Sequence, residues 1–136
     1  MRSQNYIDAD VETGDVPGRH RRWLTRTIEL ARRSRHHQKM AATAVQGGRV
    51  IIGSVNSLRN HPRHVTWEAC SRHAEAGLTR ADIEGATIYV ARLKRDGTPG
   101  LARPCRRCME LLTAAGARQV VWTAGDGHAG VDRIGA

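Results

Sequence analysis

Positions 24, 28, 31 and 35 (Leu24, Ile28, Ala31, Arg35) mark one face at helical spacing, with Trp23, Thr27 and Leu30 beside them. The pattern predicts an amphipathic helix over residues 20–38. Two short runs follow, Ala41-Ala42-Thr43-Ala44-Val45 and the β-branched Arg49-Val50-Ile51-Ile52-Gly53-Ser54-Val55, around Gly47-Gly48. They read as a β-hairpin. Residues 56–70 are rich in Asn, His and Arg and contain Pro62, which predicts a long loop. A second helix is expected to begin at residues 71–73 and to run to 83 or 84, with Ala74, Leu78 and Ala81 as its buried stripe and Gly85 as its stop. Ala86-Thr87-Ile88-Tyr89-Val90-Ala91 is apolar on both faces, as a central strand must be. Residues 93–103, with Asp96-Gly97 and Pro99-Gly100, predict a loop, and Pro104 suits the first turn of a third helix. That helix has Cys108, Leu111, Leu112 and Ala115 on its inner face and Gly116 at its end. Gln119-Val120-Val121-Trp122-Thr123 is the last strand the pattern shows, and the Gly-rich residues after it carry no clear periodicity.

The order helix–β–β–α–β–α–β requires crossover connections, so the last two strands should be parallel with helices packed on the sheet. The fold class expected is therefore α/β, with three α/β/α layers and helices on both faces of a central mixed sheet. Residues 1–18 have no periodic apolar pattern and are expected to be a mobile lead-in, which leaves residues 19–136 as a single domain.

Composition adds two constraints. Phe is absent, so the core must be built from Val, Ile, Leu and Ala. The net charge of +9 is uneven: one Arg against four acids gives −3 over residues 1–18, and eight basic groups against Glu29 give +7 over residues 19–39. Such a field suits an anionic substrate or partner, and equally a solvated basic helix face. No apolar run approaches the ~20 residues of a membrane span. Three cysteines, two of them in a C-x-x-C, make no extracellular disulfide framework, so a cytoplasmic protein is expected.

Candidate chemistry lies between His73-Ala74-Glu75 and Pro104-Cys105-Arg106-Arg107-Cys108, with 28 residues between Glu75 and Pro104. One imidazole and two thiolates are three ligands for a tetrahedral Zn²⁺ with its fourth position open to water. A carboxylate two residues from the imidazole can move that water's protons. Cys105 and Cys108 are three apart and share one helix face. At a helix N-terminus the unpaired N–H groups would favour their thiolates. His73 and Glu75 converge only if they sit in the first turn of their helix.

The H-x-E…P-C-x-x-C pattern resembles the zinc-dependent cytidine and deoxycytidylate deaminase superfamily, in its branch of deoxycytidylate and tRNA-adenosine deaminases. The resemblance covers about residues 39–123 and implies a deaminase fold. It also implies Zn²⁺ held by His73, Cys105 and Cys108, Glu75 as the proton carrier, and hydrolysis of a cytosine nucleotide such as dCMP with release of ammonia. By the same resemblance Ala74 would touch the base, the Arg103 carbonyl the leaving amine, and Asn56 the sugar. A nucleotide substrate and a homo-oligomer are implied as well. Relatives usually continue with a strand and a helix after the equivalent of Thr123, whereas thirteen residues follow it here.

Three other readings remain open. One is a deaminase of cytosine or adenine in single-stranded DNA or RNA, and another is a non-catalytic zinc-stabilised domain that binds nucleic acid. In the third, a structural zinc site, Cys70 would supply a fourth ligand and close the ion to water. Arg59, His61, Arg63 and His64 could bind a substrate phosphate or simply keep an exposed loop soluble. One of Arg106 and Arg107 could reach that phosphate while the other faces solvent, and Trp67 could stack on a base or pack against the fold.

Overall fold

The computed structural model describes residues 18–35, 38–56, 74–125 and 127–135. Residues 1–17 of the expected lead-in, residues 57–70 of the loop expected over 56–70 and the start of the second helix at 71–73 lie outside those residues, and Gly18 already belongs to the first helix. The elements are α1 (Gly18–Ala31), β1 (Lys39–Gln46), β2 (Arg49–Val55), α2 (Ala74–Gly77), β3 (Thr87–Leu93), β4 (Pro99–Gly100), α3 (Arg106–Ala114), β5 (Gln119–Gly125) and β6 (His128–Arg133).

The strands form one mixed sheet in the order β2-β1-β3-β5-β6, with the short β4 paired to β3. β1 is antiparallel to both β2 and β3, β3 runs parallel to β5, and β6 returns antiparallel along β5. The expected hairpin and the expected parallel pair are both present. Gly47 and Gly48 have φ of 60° and 73°. A two-residue turn with both residues left-handed matches the twist of the flanking strands, and side chains with a Cβ resist it.

Alternation along the strands splits the core into two layers. Ala42 and Ala44 of β1, Ile88 and Val90 of β3, and Val120 and Trp122 of β5 point to one face, where Ala74, Leu78, Ile83 and Leu112 cover them. Val45, Tyr89, Val121 and Ala129 point to the other face, under Trp23 and Leu24 of α1. α2 and α3 therefore lie across the sheet from α1, which gives the three-layer α/β/α arrangement.

Several boundaries differ from the periodicity. α1 ends at Ala31, short of residue 38, because the chain tightens there into i→i+3 bonds from Arg33 to Leu30 and from Ser34 to Ala31. The Ser34 hydroxyl then donates to Asn56 Oδ1, which ties this turn to the end of β2. α2 passes at Leu78 into a 3₁₀ turn that ends at Arg80, and Ala81 is extended (φ −123°, ψ 166°). Unwinding there lets Ile83 drop fully into the core, while the Asp82 carboxylate accepts the Glu84 N–H. Pro104 precedes the α3 N-cap, Cys105, rather than occupying the first turn. At the other end of α3, Gly116 (φ 87°) donates to Thr113 O and Ala117 to Leu112 O. This pair of bonds is a Schellman ending and satisfies carbonyls the helix leaves open.

β6 was not visible in the sequence pattern. Its place depends on Trp122, which is fully buried and stands opposite Gly130 in the β5–β6 register. Burying a Trp removes roughly 200 Å² from water, worth about 5 kcal/mol at ~25 cal/mol per Å². The indole lies flat across Gly130, so a Cβ at that position would clash with ring carbons. We predict that Gly130→Ala loses about 1–3 kcal/mol of stability in urea denaturation, as overpacked sites do. Unchanged stability would mean that the ring does not lie across Gly130.

Candidate functional site

Two chain segments that are far apart in sequence meet on the sheet face away from α1. Ala74 opens the described part of α2 and is completely buried in the core cluster, which fixes the direction of the residue after it. Glu75 follows and is only 2 % exposed. A carboxylate so deeply buried is costly without partners. From the other segment, Cys105 caps α3 with extended geometry (φ −66°, ψ 165°), and its carbonyl accepts the Met109 N–H. Cys108 stands one turn on, at the third helical position. Cys105 is exposed and Cys108 is buried, and neither is in a disulfide.

The Cys108 side chain meets both Cys105 and Glu75. Its thiol is held far above the ordinary cysteine range by a hydrogen bond with Cys105, then by burial, then by the negative charge of Glu75 and a hydrogen bond with it. The carboxylate of Glu75 and both thiols are therefore neighbours. Within the chain itself the Cys105 hydrogen bond, burial and the nearby Glu75 charge act on the Cys108 thiol against the pull of the helix end.

That result tests whether the residues suit a metal. A buried carboxylate and a buried thiol beside the exposed Cys105 thiol repel one another once ionised, and a divalent cation is the partner that removes this penalty. The donor set fits Zn²⁺, which Cys105 and Cys108 could hold as two of its ligands. Among the described residues no group of three or more His, Cys, Asp or Glu side chains forms a cage by itself. The third expected ligand, His73, lies outside the described residues, as do Cys70, Arg59, His61, Arg63, His64 and Trp67.

Asn56 is buried at the end of β2. Its Oδ1 accepts from Ser34 Oγ and from the Met40 N–H at 3.1 Å, and its Nδ2 donates to the Gln38 carbonyl at 2.6 Å. The side chain thus clamps the end of α1 to the start of β1. Arg103 directs its guanidinium to β6. Its Nε and Nη2 grip Asp132 of β6 at 2.7 and 3.0 Å, and the group lies 5.8 Å from the Trp122 ring. That guanidinium is committed to the protein, which leaves the Arg103 backbone as the part able to face the site.

Arg106 and Arg107 remain as the basic groups beside the thiols. They line a groove of about 630 Å³ with Cys105, Glu110, Leu111 and Ala114. Arg106 is almost fully exposed and pairs with Glu110 at 3.3 Å. An exposed pair of this kind contributes about 0–1 kcal/mol and leaves the guanidinium easily redirected.

The sequence pattern gave no notice of Asp132, because its partner is 29 residues away and strand β6 was not recognised. An isolated Asp between Val131 and Arg133 in a Gly-rich tail carries no local signal.

Comparison with known proteins follows this geometry. The structure is similar to a dCMP deaminase from the cyanophage S-TIM5 in apo form, at a TM-score of 0.58 and 16 % identity, covering 81 % of this chain and 86 % of that one. The same phage enzyme in complex with dCMP and dUMP gives a TM-score of 0.55 at 13 % identity, over 80 % of this chain and 83 % of that one. Acinetobacter baumannii RibD is similar at a TM-score of 0.52 and 24 % identity over 77 % of this chain, which spans only 28 % of RibD. At these identities the likeness shows the fold. No curated protein matches the sequence. The profile described as "Cytidine and deoxycytidylate deaminase zinc-binding region" matches residues 17–124, most of the chain, and it contains Glu75, Cys105 and Cys108. The chain belongs to that family of deaminases.

Proposed function

We propose that the protein is a zinc-dependent hydrolytic deaminase that converts a cytosine nucleotide of the dCMP or CMP kind to its uracil counterpart with release of ammonia. The observation that carries this reading is the contact between buried Glu75 and the Cys108 thiol beside Cys105. It brings the H-x-E carboxylate and the C-x-x-C pair into one place. The phage relative solved with dCMP and dUMP supports the free nucleotide as first choice.

Zn²⁺, held by His73, Cys105 and Cys108, would supply an activated water at neutral pH. The chain's own groups do the rest. The Glu75 carboxylate takes a proton from the attacking water and passes it to the ring nitrogen, then takes the remaining proton of the added hydroxyl and passes it to the departing amine, which leaves as ammonia. Burial suits it to this work, since water does not compete for its oxygens. In this reading the Ala74 backbone, next to Glu75, would meet the base edge, and the Arg103 carbonyl would accept a hydrogen bond from the leaving amine. For the sugar, Asn56 has one Nδ2 hydrogen besides the one given to Gln38. In this reading it is both clamp and contact. Arg106 or Arg107 would meet the phosphate from the groove beside Cys105.

The basic helix favours a second reading less. α1 packs on the sheet face opposite Glu75 and the thiols. Its arginines are poorly placed to track a strand of DNA or RNA into this site.

Three outcomes are expected. Glu75→Gln keeps zinc and fold but loses about 10²–10⁴-fold in kcat for dCMP, measured by ammonia release, because the proton carrier is gone and the thiols are intact. Substantial activity in that variant would reassign proton transfer. Zinc binding to the metal-free protein should release protons from the cysteines, so apparent affinity rises as pH rises. The sign follows from the raised Cys108 thiol, which must lose its proton to bind. Calorimetry in buffers of different ionisation enthalpy measures the release, and pH-independent affinity would contradict thiolate ligation. Arg107→Gln is expected to raise KM for dCMP with little change in kcat, and to affect cytidine, which has no phosphate, much less. Equal effects on both substrates would remove the groove from phosphate binding.

A further inference from the structure

Among the described residues, the last strand meets the turn before the C-x-x-C through an ion pair. Arg103 of the turn before the C-x-x-C and Asp132 of β6 form a two-pronged ion pair, with side chains only 13 % and 9 % exposed. The Arg106–Glu110 pair, 93 % and 66 % exposed, has one contact at 3.3 Å and is free to swing. A buried ion pair is not the cheapest way to hold two segments together. Its desolvation cost roughly cancels its attraction, and apolar residues of similar size often serve stability as well. What a guanidinium–carboxylate fork does better is fix direction, because two parallel hydrogen bonds allow one orientation.

Each member of the pair is fixed in turn. The Trp122 Nε1–H donates to Asp132 Oδ2 at 3.2 Å, and the Trp122 ring is set against Gly130. On the other side, Ala102 is pinned to β5 by a 2.8 Å bond from its N–H to Thr123 O, next to a bridge between Leu101 and Ala124. Only Arg103 and Pro104 lie between that anchor and Cys105, the α3 N-cap. The fork therefore acts on the two residues whose backbone decides where the Arg103 carbonyl and the Cys105 thiol point.

We infer that the side chains of Arg103 and Asp132 are positioning groups: through them β6 sets the orientation of the Arg103 carbonyl and of Cys105, and neither side chain touches substrate. The inference rests on the deaminase reading above.

Asp132→Asn alone would leave a buried Arg103 charge poorly compensated and risks unfolding for that reason. The informative variant is the double change Arg103→Leu with Asp132→Asn, which removes both charges and keeps a side-chain acceptor for the Trp122 N–H. The metal-free double variant should melt close to the wild-type protein. It should surrender zinc to a chelator about 10–100-fold more readily, the usual loss when a partner behind a metal ligand is removed. Its kcat for dCMP should fall by about 10–100-fold while KM moves less than about threefold, the mark of a group misplaced in the transition state. With cobalt(II) in place of zinc, its sulfur-to-metal absorption bands should shift from those of the wild type.

A folded double variant with wild-type zinc retention, cobalt spectrum and kcat overturns the proposal. If the double variant does not fold, Asp132→Glu decides, since it keeps both charges and displaces the carboxylate by one methylene. Reduced kcat at unchanged KM supports positioning, and wild-type kcat overturns it. The wild-type control separates this failure from that of the underlying reading. Active, zinc-loaded wild type with an unaffected variant sinks only the positioning role. A wild type that takes up no zinc and deaminates nothing sinks both.

Discussion

Everything near the site follows from burying one carboxylate against two thiols. Glu75 is almost inaccessible to solvent and presses on Cys108, whose proton is held tightly by Cys105, by burial and by that carboxylate. In a folded protein such a cluster is a liability unless a cation relieves it. The surrounding structure is arranged to keep the three groups together in spite of that cost. Ala74 is locked in the core immediately before Glu75, and Cys108 stands just ahead of Leu112, whose side chain is fully buried. Both helices press their apolar stripes into the same patch of Ile88, Val90, Val120 and Trp122.

The sheet separates two electrical environments. On one face lie the acidic carboxylate and the thiols. On the other, α1 presents Arg22 and Arg26, each 5.1 Å from the Trp23 ring, and Arg19 and Arg22 lower the Tyr89 phenol. Burial wins there nonetheless and pushes Tyr89 up to about 12. That phenol shares a 2.7 Å hydrogen bond with buried His20, so the layer under α1 is a satisfied structural core. The arginines of α1 lie on the sheet face away from the thiols. Basic groups that act on substrate must come from the α2 and α3 side.

The legible parts of the fold had local causes. Gly47-Gly48 dictated its turn, β3 announced a central strand through apolar residues on both faces, and the cysteine spacing placed both thiols at one helix end. What escaped the pattern had distant causes. α2 is cut short because Ile83 is claimed by the core, which a helical stripe through Ala81 could not foretell. β6 is held by Trp122 across Gly130, and a glycine chosen for its missing Cβ reads in sequence as a turn. Asn56 was readable as a strand-end polar group, but its use as a clamp depends on Ser34, Gln38 and Met40 folding back to it. The same holds for Arg103, whose side chain finds Asp132 only once β6 is in place.

The central claim is that this cluster is a metal centre open to water, built from one imidazole and two thiolates. X-ray absorption at the zinc edge of the purified protein tests it most directly. The account predicts one zinc per chain with two sulfur neighbours and two light-atom neighbours, one from His73 and one from water. A shell of three sulfurs and one nitrogen, with Cys70 as the added ligand, would make the site structural and contradict the account.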